Sequence, residues 1–133
     1  MCDIPIIWIN LEKNKEYRNF FENQLKEYDV KCHKRISAID SNTPQFFKYI
    51  SGLRFSKTCN KKDIACSLSH IKAIKKAKQL NFDYALIMED NCDFEYLKYQ
   101  YYTIKDLITL MNKQFTNWEI LQLSMYNIND DDI

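Results

Sequence analysis

A group of carboxylates follows an apolar run in the stretch FDYALIMEDNCDFE, residues 82–95. The apolar run ends in Glu89, Asp90 and Asn91, and Asp93 follows two positions later. Like charges this close repel each other, so they need either water at a strand end or a bound cation. Hard divalent cations such as Mg²⁺ and Mn²⁺ favour carboxylate oxygens as ligands. The pattern therefore indicates a cation site, with a solvated strand end as the alternative.

A second group of polar residues lies in DIACSLSHIKA, which begins at Asp63. Ser67, Ser69 and His70 fall in the first half of a predicted helix. They could donate hydrogen bonds to a nucleotide, and a helix N-terminus favours an anion. The alternative is that they are ordinary packed or solvated side chains, since serine within helices is common.

Alternating strands and helices must position these groups. Because the predicted sheet is mostly parallel and flanked by helices, the fold class is α/β. Ligands in such sheets bind beyond the carboxyl ends of the strands. Asn10 ends the first strand and the acidic group ends the third, so both are expected near one crevice. The predicted strands are residues 4–11, 33–39, 84–89 and 118–124, and the predicted helices are residues 14–29, 44–50, 63–80 and 99–114.

Helical spacing predicts which faces of two helices are buried. Asn14 is the predicted N-cap of the first helix. The predicted buried positions are Tyr17, Phe20, Phe21, Gln24, Leu25 and Tyr28 in the first helix, and Ile64, Leu68, Ile71, Ile74 and Ala77 in the helix of residues 63–80.

Length and composition limit the classes of protein to which this chain can belong. The 133 residues suit one domain, and a net charge of +1 provides no field to attract nucleic acid. No stretch has the length of a membrane span, and the N-terminus lacks the pattern of a signal peptide. The five cysteines form no CxxC or Cys/His pattern. We therefore expect free thiols and a soluble protein in a reducing, intracellular (cytoplasmic) compartment.

Four stretches in order resemble glycosyltransferase family 25, which includes bacterial lipopolysaccharide and lipooligosaccharide galactosyltransferases and collagen galactosyltransferases. Ser41 stands where that family usually has Gly, and Lys62 and Asp63 replace its Gly-Glu. The four stretches are WINLEKNKEYR (8–18), KRISAIDS (34–41), KKDIACSLSHIKAIKKA (61–77) and YALIMEDNCDFE (84–95).

The resemblance implies a GT-A-like fold, in which a Rossmann-like half-domain binds the nucleotide sugar. The implied donor is a UDP-hexose such as UDP-galactose, and the implied acceptor is a hydroxyl group of a glycan or protein. Transfer would proceed with inversion and depend on Mn²⁺ (or Mg²⁺). The residues that the resemblance assigns to nucleotide-sugar binding are Asn10, Arg18, Asp63, Ser69, His70, Glu89 and Asp90.

The implied metal ligands are Asp90, Asn91 and Asp93. Asn91 stands where the family has a third acid, and an amide oxygen brings no charge to a cation. Asp93 lies two residues further on, so in an extended segment its side chain points to the same side as that of Asn91. We therefore hypothesise that Asp93 compensates for the missing acid.

The chain is shorter than the family's usual domain. Residues 1–133 are accordingly expected to form one truncated GT-A-like domain, the donor-binding half, without the half that supplies the general base. Apolar surface left uncovered by a missing half favours self-association, so we expect a homo-oligomer.

Two other functions fit parts of the sequence. A catalytically inactive family member could serve as a binding or assembly module. A receiver-like domain phosphorylated on Asp90 is the third hypothesis, but its first strand should end in an acidic pair, and here that strand ends in WINL.

Overall fold

A sheet of three parallel strands lies between layers of helix. β1 (Ile6–Asn10) is the central strand, with β2 (His33–Ser37) on one side and β3 (Leu86–Glu89) on the other. β1 is rich in β-branched and aromatic residues and is buried along most of its length, as is typical of a central parallel strand. The predicted α/β class, with a parallel sheet flanked by helices, is confirmed.

The structure is a computed structural model that describes residues 4–95, 99 and 101–123. The chain divides into two units, residues 1–94 and residues 95–133. The first unit contains the sheet and three helices, and the second contains the fourth helix. The helices are α1 (Lys15–Glu27), α2 (Pro44–Ile50), α3 (Lys61–Gln79) and α4 (Ile104–Gln114).

One face of the sheet packs against α3. Ile7, Ile9 and Ile36 form a buried cluster with Ala73 of α3, and Ile87 of β3 packs against its edge. Because the central helix residue is an alanine, the helix axis can approach the strands closely. Odd-numbered residues of β1 and β3 therefore point towards α3.

The opposite face packs against α1 through aromatic rings. Trp8 stacks on Phe21 with ring centroids 4.8 Å apart, and Phe94 meets Phe21 edge-on at 5.2 Å. Gln24 fixes the segment after β3, because its Nε2 donates to the Cys92 carbonyl (3.0 Å) and its Oε1 accepts from the Phe94 N–H (2.6 Å). Even-numbered residues of β1 and β3 thus point towards α1, whereas in β2 the even-numbered Ile36 points towards α3.

The prediction of which α3 residues are buried is partly wrong. Ala65, Ser69 and Ala73 are the buried positions, whereas Ile71 and Ile74 remain 46% and 48% exposed. Close packing on the sheet selects small side chains for the centre of the contact, and the larger ones lie at its margins. Ile64, Leu68 and Ala77 are partly buried at those margins.

The predicted buried face of α1 is narrower than expected. Phe21, Gln24 and Leu25 are buried, but Tyr17, Phe20 and Tyr28 are exposed. Asn14 is at the N-cap, as predicted, although its side chain makes no capping hydrogen bond.

The predicted fourth strand is wrong over residues 118–123, which form no strand, and residue 124 lies outside the described residues. In the second unit, Trp118 Nε1 instead donates to Asn112 Oδ1 at 2.8 Å. α4 also begins later than predicted, at Ile104. A capping box between Thr103 and Asp106 sets that start, because each side chain bonds the backbone N–H of the other residue.

Among the cysteines that the structure describes, one differs from the prediction. Cys32 is disulfide-bonded, so the expectation of free thiols is wrong there, while Cys59, Cys66 and Cys92 are free. A single bridge needs only proximity in the fold and no sequence motif, which is why spacing did not reveal it. Within the described ranges, every helix is too short or too polar to cross a membrane.

Ser69 provides a test of how α3 supports the loop after β2. Its Oγ accepts from the Ile39 N–H (2.9 Å) and donates to the Ala65 carbonyl (2.7 Å), and the residue is 1% exposed. We predict that Ser69→Ala lowers the free energy of unfolding by about 1–3 kcal/mol, because the Ile39 N–H loses its buried partner. Urea denaturation measures the change. The matched control, exposed Ser67→Ala, should leave stability unchanged, and equal stability of both variants would contradict the bracing role.

Candidate functional site

The Asn10 side chain, at the carboxyl end of β1, connects a residue within β2 to the residue that follows β3. Its Nδ2 donates to Asp90 Oδ2 (2.5 Å), just after β3, and to the Asn14 carbonyl (3.0 Å). Its Oδ1 accepts from Arg35 of β2, from Nε at 3.0 Å and from Nη2 at 2.7 Å. Asn10 is only 1% exposed, and these hydrogen bonds satisfy both the nitrogen and the oxygen of its buried amide. The network determines which way the amide points.

Arg35 is a residue of this site that the sequence analysis did not identify. Besides Asn10, its Nη2 donates to Glu12 Oε2 at 3.0 Å. This hydrogen bond and the positive charge of Arg35 lower the pKa of Glu12. The one available signal was an arginine within the strand HKRIS, close to the end where ligands are expected.

Glu89 lies in a separate group on the α3 side of the sheet. Its Oε1 is 3.0 Å from His70 Nε2 and 3.7 Å from Cys66 Sγ. Burial raises the pKa of the Cys66 thiol, and the negative charge of Glu89 raises it further. The side chains of His70 and Glu89 are 38% and 47% exposed, so a ligand could reach the pair.

The two acids that end β3 therefore point in opposite directions. Glu89 follows the odd-numbered positions towards α3, and Asp90 follows the even-numbered positions towards Asn10. Their contacts agree with this alternation, since Glu89 meets His70 and Asp90 meets Asn10. Asn91 and Asp93 follow in the exposed segment after the strand. Glu89 and Asp90 consequently belong to two different groups of residues.

The remaining residues assigned by resemblance lie elsewhere on the helices. Asp63 is exposed in the first turn of α3, on the side of Cys66, and its backbone N–H donates to the Asn60 side chain at 2.9 Å. Arg18 forms an ion pair with Glu22 at 2.9 Å on α1. Ser69 is buried with its hydroxyl used twice, which suits support of the site and not direct ligand contact.

A shallow cleft of about 490 Å³ lies at the carboxyl end of β2. Lys13 and Asp40 face each other in it at 2.6 Å, and the hydrogen bond from Lys13 lowers the pKa of Asp40. Glu12 belongs to both the cleft and the Arg35 network, so a continuous chain of contacts leads from the cleft to Asp90. The cleft is lined by Glu12, Lys13, Ser37, Ala38, Ile39, Asp40, Thr43, Gln45, Tyr49 and Lys72.

The cleft's chemistry suits a ligand with hydroxyl and phosphate groups. Carboxylates such as Glu12 and Asp40 accept hydrogen bonds from hydroxyls, and the amines of Lys13 and Lys72 attract anions. Both amines already have partners, because Lys72 Nζ donates to the Ser37 carbonyl at 2.8 Å. A ligand would therefore exchange these contacts for its own.

Comparison with known proteins identifies the family. The sequence profile of glycosyltransferase family 25, described as LPS biosynthesis protein, matches residues 3–131. Neither a curated protein nor a solved structure matches the chain. The matched region contains the Asn10 network, the cleft and the Cys66–His70–Glu89 group. The chain therefore belongs to glycosyltransferase family 25.

Proposed function

We propose that this protein binds a UDP-hexose, such as UDP-galactose, and transfers the hexose to a hydroxyl group of a glycan or protein. One observation carries the proposal: at the carboxyl end of β1, where α/β sheets bind their ligands, the Asn10 side chain holds both Arg35 and Asp90. Family membership supports the same chemistry. The fold would be the GT-A type, with this sheet as the nucleotide-binding part.

The cleft beside β2 is the proposed place for the nucleoside. Glu12 and Asp40 would accept hydrogen bonds from ribose hydroxyls, and the Tyr49 ring offers an apolar surface to a base. Lys13 and Lys72 would meet the diphosphate as point charges. Glu12 accepts from Arg35, and Arg35 donates to Asn10. These contacts would fix the position of Asp90 relative to the bound nucleoside.

The segment after β3 is the proposed metal site. Asp90, Asn91 and Asp93 offer two carboxylates and an amide oxygen, and this donor set fits a hard cation such as Mn²⁺ or Mg²⁺. When bound, the cation would neutralise charge on the departing diphosphate. Asn10 holds one oxygen of Asp90 and so fixes the direction of the carboxylate. Glu89 points to the other face of the sheet and is not among the proposed ligands.

Transfer requires one bond to form as another breaks. The acceptor oxygen would attack the anomeric carbon as the bond to the diphosphate oxygen breaks, and the acceptor proton would pass to a base. Inversion follows when attack and departure occur on opposite faces of the sugar. In this reaction the Asn10 network would hold the Asp90 carboxylate in place. Asn10 is therefore a positioning residue.

A nucleotide screen tests the proposal directly. We expect UDP with Mn²⁺ to raise the melting temperature, because a ligand at 100 times its Kd stabilises the folded state by about 2.7 kcal/mol. Asp90→Ala should remove the Mn²⁺-dependent part of the shift. The control Asp83→Ala removes an exposed aspartate from the segment before β3 and should retain it.

The same samples, incubated with UDP- and GDP-sugars and candidate acceptors, report turnover. A UDP-dependent shift without turnover would select a binding module instead of an enzyme. The absence of a shift with every nucleotide would contradict the proposed function.

Asp93 allows a separate test of the metal site. If its carboxylate compensates for Asn91, Asp93→Ala should weaken Mn²⁺ binding in the presence of UDP by at least about 10-fold, because charge count strongly tunes cation affinity. Isothermal titration calorimetry measures the change. Unchanged Mn²⁺ affinity in Asp93→Ala would rule out the compensation.

We also propose that the protein forms a homo-oligomer. Ile71 and Ile74 leave apolar surface on α3, and a shallow groove of about 360 Å³ lies along it between Ile39 and Lys75. Within the described sheet, β2 and β3 each pair on one side only. Apolar surface and open strand edges both favour association between copies.

Light scattering at micromolar concentration tests the oligomer. We expect a dimer or larger species, and the double substitution Ile71→Lys/Ile74→Lys should shift it to monomer by burying charge at the contact. Ile120→Lys is the control, since this isoleucine is 80% exposed in the second unit. A wild-type monomer would overturn the proposal.

A further inference from the structure

We infer that Cys66, His70 and Glu89 form a binding site for a zinc ion, distinct from the metal site proposed at Asp90, Asn91 and Asp93. Among the described residues, these three bring potential ligand atoms within 4.8 Å of one another. The site goes beyond the proposed transfer function, because it is defined by different side chains on the other face of the sheet. It calls for no nucleotide.

Glu89 Oε1 lies near tetrahedral spacing from the other two ligand atoms, and all three ligand atoms fall within 4.8 Å of one another. Zinc bonds of 2.0–2.3 Å imply ligand-to-ligand distances of roughly 3.3–3.8 Å. Glu89 Oε1 lies 3.7 Å from Cys66 Sγ and 3.0 Å from His70 Nε2. Small rotations of half-exposed side chains would therefore suffice to place an ion between them.

The fold holds the three residues on two regular elements. Cys66 and His70 are four residues apart on α3, so they lie one turn apart on the same face. Glu89 ends β3 on the face that packs against α3, where Ile87 contacts the cluster around Ala73. Ligands on a helix and a strand are positioned more accurately than ligands on loops.

The ligand types select zinc over the cations expected at Asp90. A thiolate and an imidazole are softer ligands than carboxylates and favour Zn²⁺, whereas Mn²⁺ and Mg²⁺ favour oxygen. Three protein ligands leave a fourth position for water or a substrate oxygen, as in catalytic zinc sites. Binding would displace the thiol proton, because the thiolate is the form that coordinates.

The competing explanation is an ion pair between His70 and Glu89 with a free thiol nearby. That arrangement would account for the 3.0 Å contact without any metal. The two explanations differ in one respect, which is whether the Cys66 sulfur becomes a metal ligand. The decisive measurement must therefore report on sulfur coordination.

Cobalt provides that report, since Co²⁺ bound to a thiolate shows a ligand-to-metal charge-transfer absorption. We expect the wild-type protein, without nucleotide, to develop this band at one equivalent of Co²⁺ and to lose it when Zn²⁺ displaces the cobalt. Cys66→Ser should lack the band. The matched control Cys59→Ser, which removes another free exposed thiol, should keep it.

Calorimetry with Zn²⁺ extends the test to the other two ligands. His70→Ala and Glu89→Gln should each weaken zinc binding by more than about 100-fold, because loss of an outer-sphere partner alone costs about 10–100-fold. Circular dichroism confirms that each variant is folded. A wild-type protein without the cobalt band, a band that survives in Cys66→Ser, or one lost in Cys59→Ser would overturn the site. Because no nucleotide is present, failure here leaves the transferase proposal standing.

Discussion

The arrangement of the candidate site depends on one buried amide. Asn10 is surrounded by protein, and an unsatisfied polar group there would cost about 1–3 kcal/mol. Its donors and acceptor are met by groups from three separate parts of the chain: Arg35, Asp90 and the Asn14 backbone. The amide thus fixes the Arg35 side chain and the Asp90 carboxylate relative to the end of β1. It also bridges the Arg35 guanidinium, which is paired with Glu12, to the Asp90 carboxylate.

The two-residue repeat of a strand separates chemistry that is adjacent in sequence. Glu89 and Asp90 are neighbours, yet one serves the α3 face and the other the Asn10 network. Each face has its own set of ligand atoms, with sulfur, nitrogen and oxygen on the α3 side and oxygen alone beyond the strand end. A small parallel sheet can therefore carry the proposed zinc site and the proposed Mn²⁺ or Mg²⁺ site a few residues apart.

Much of the fold could be predicted from the sequence because apolar runs and amphipathic spacing are local signals. The three strands, α2 and the position of Asn10 at a strand end followed from them. The buried face of α3 did not, since close packing selects Ala73 over the larger Ile71 and Ile74. Arg35 and Cys66 were missed because their partners lie 25 and 23 residues away in the chain. Only the resemblance to the family, and not spacing, grouped His70 with Glu89 before the structure did.

Gln24 has a consequence for the order in which the fold assembles. Its side-chain amide bonds the backbone as an adjacent strand would, because it donates to the Cys92 carbonyl and accepts from the Phe94 N–H. These partners lie 68 and 70 residues away in the chain. Contacts this distant in the chain form late, because the intervening loop must first be closed. The segment with Asn91 and Asp93 can therefore reach its native path only after the first helix has docked. Newly made chains would dock the first helix on the sheet before Phe94 and the proposed cation ligands beside it take their native positions.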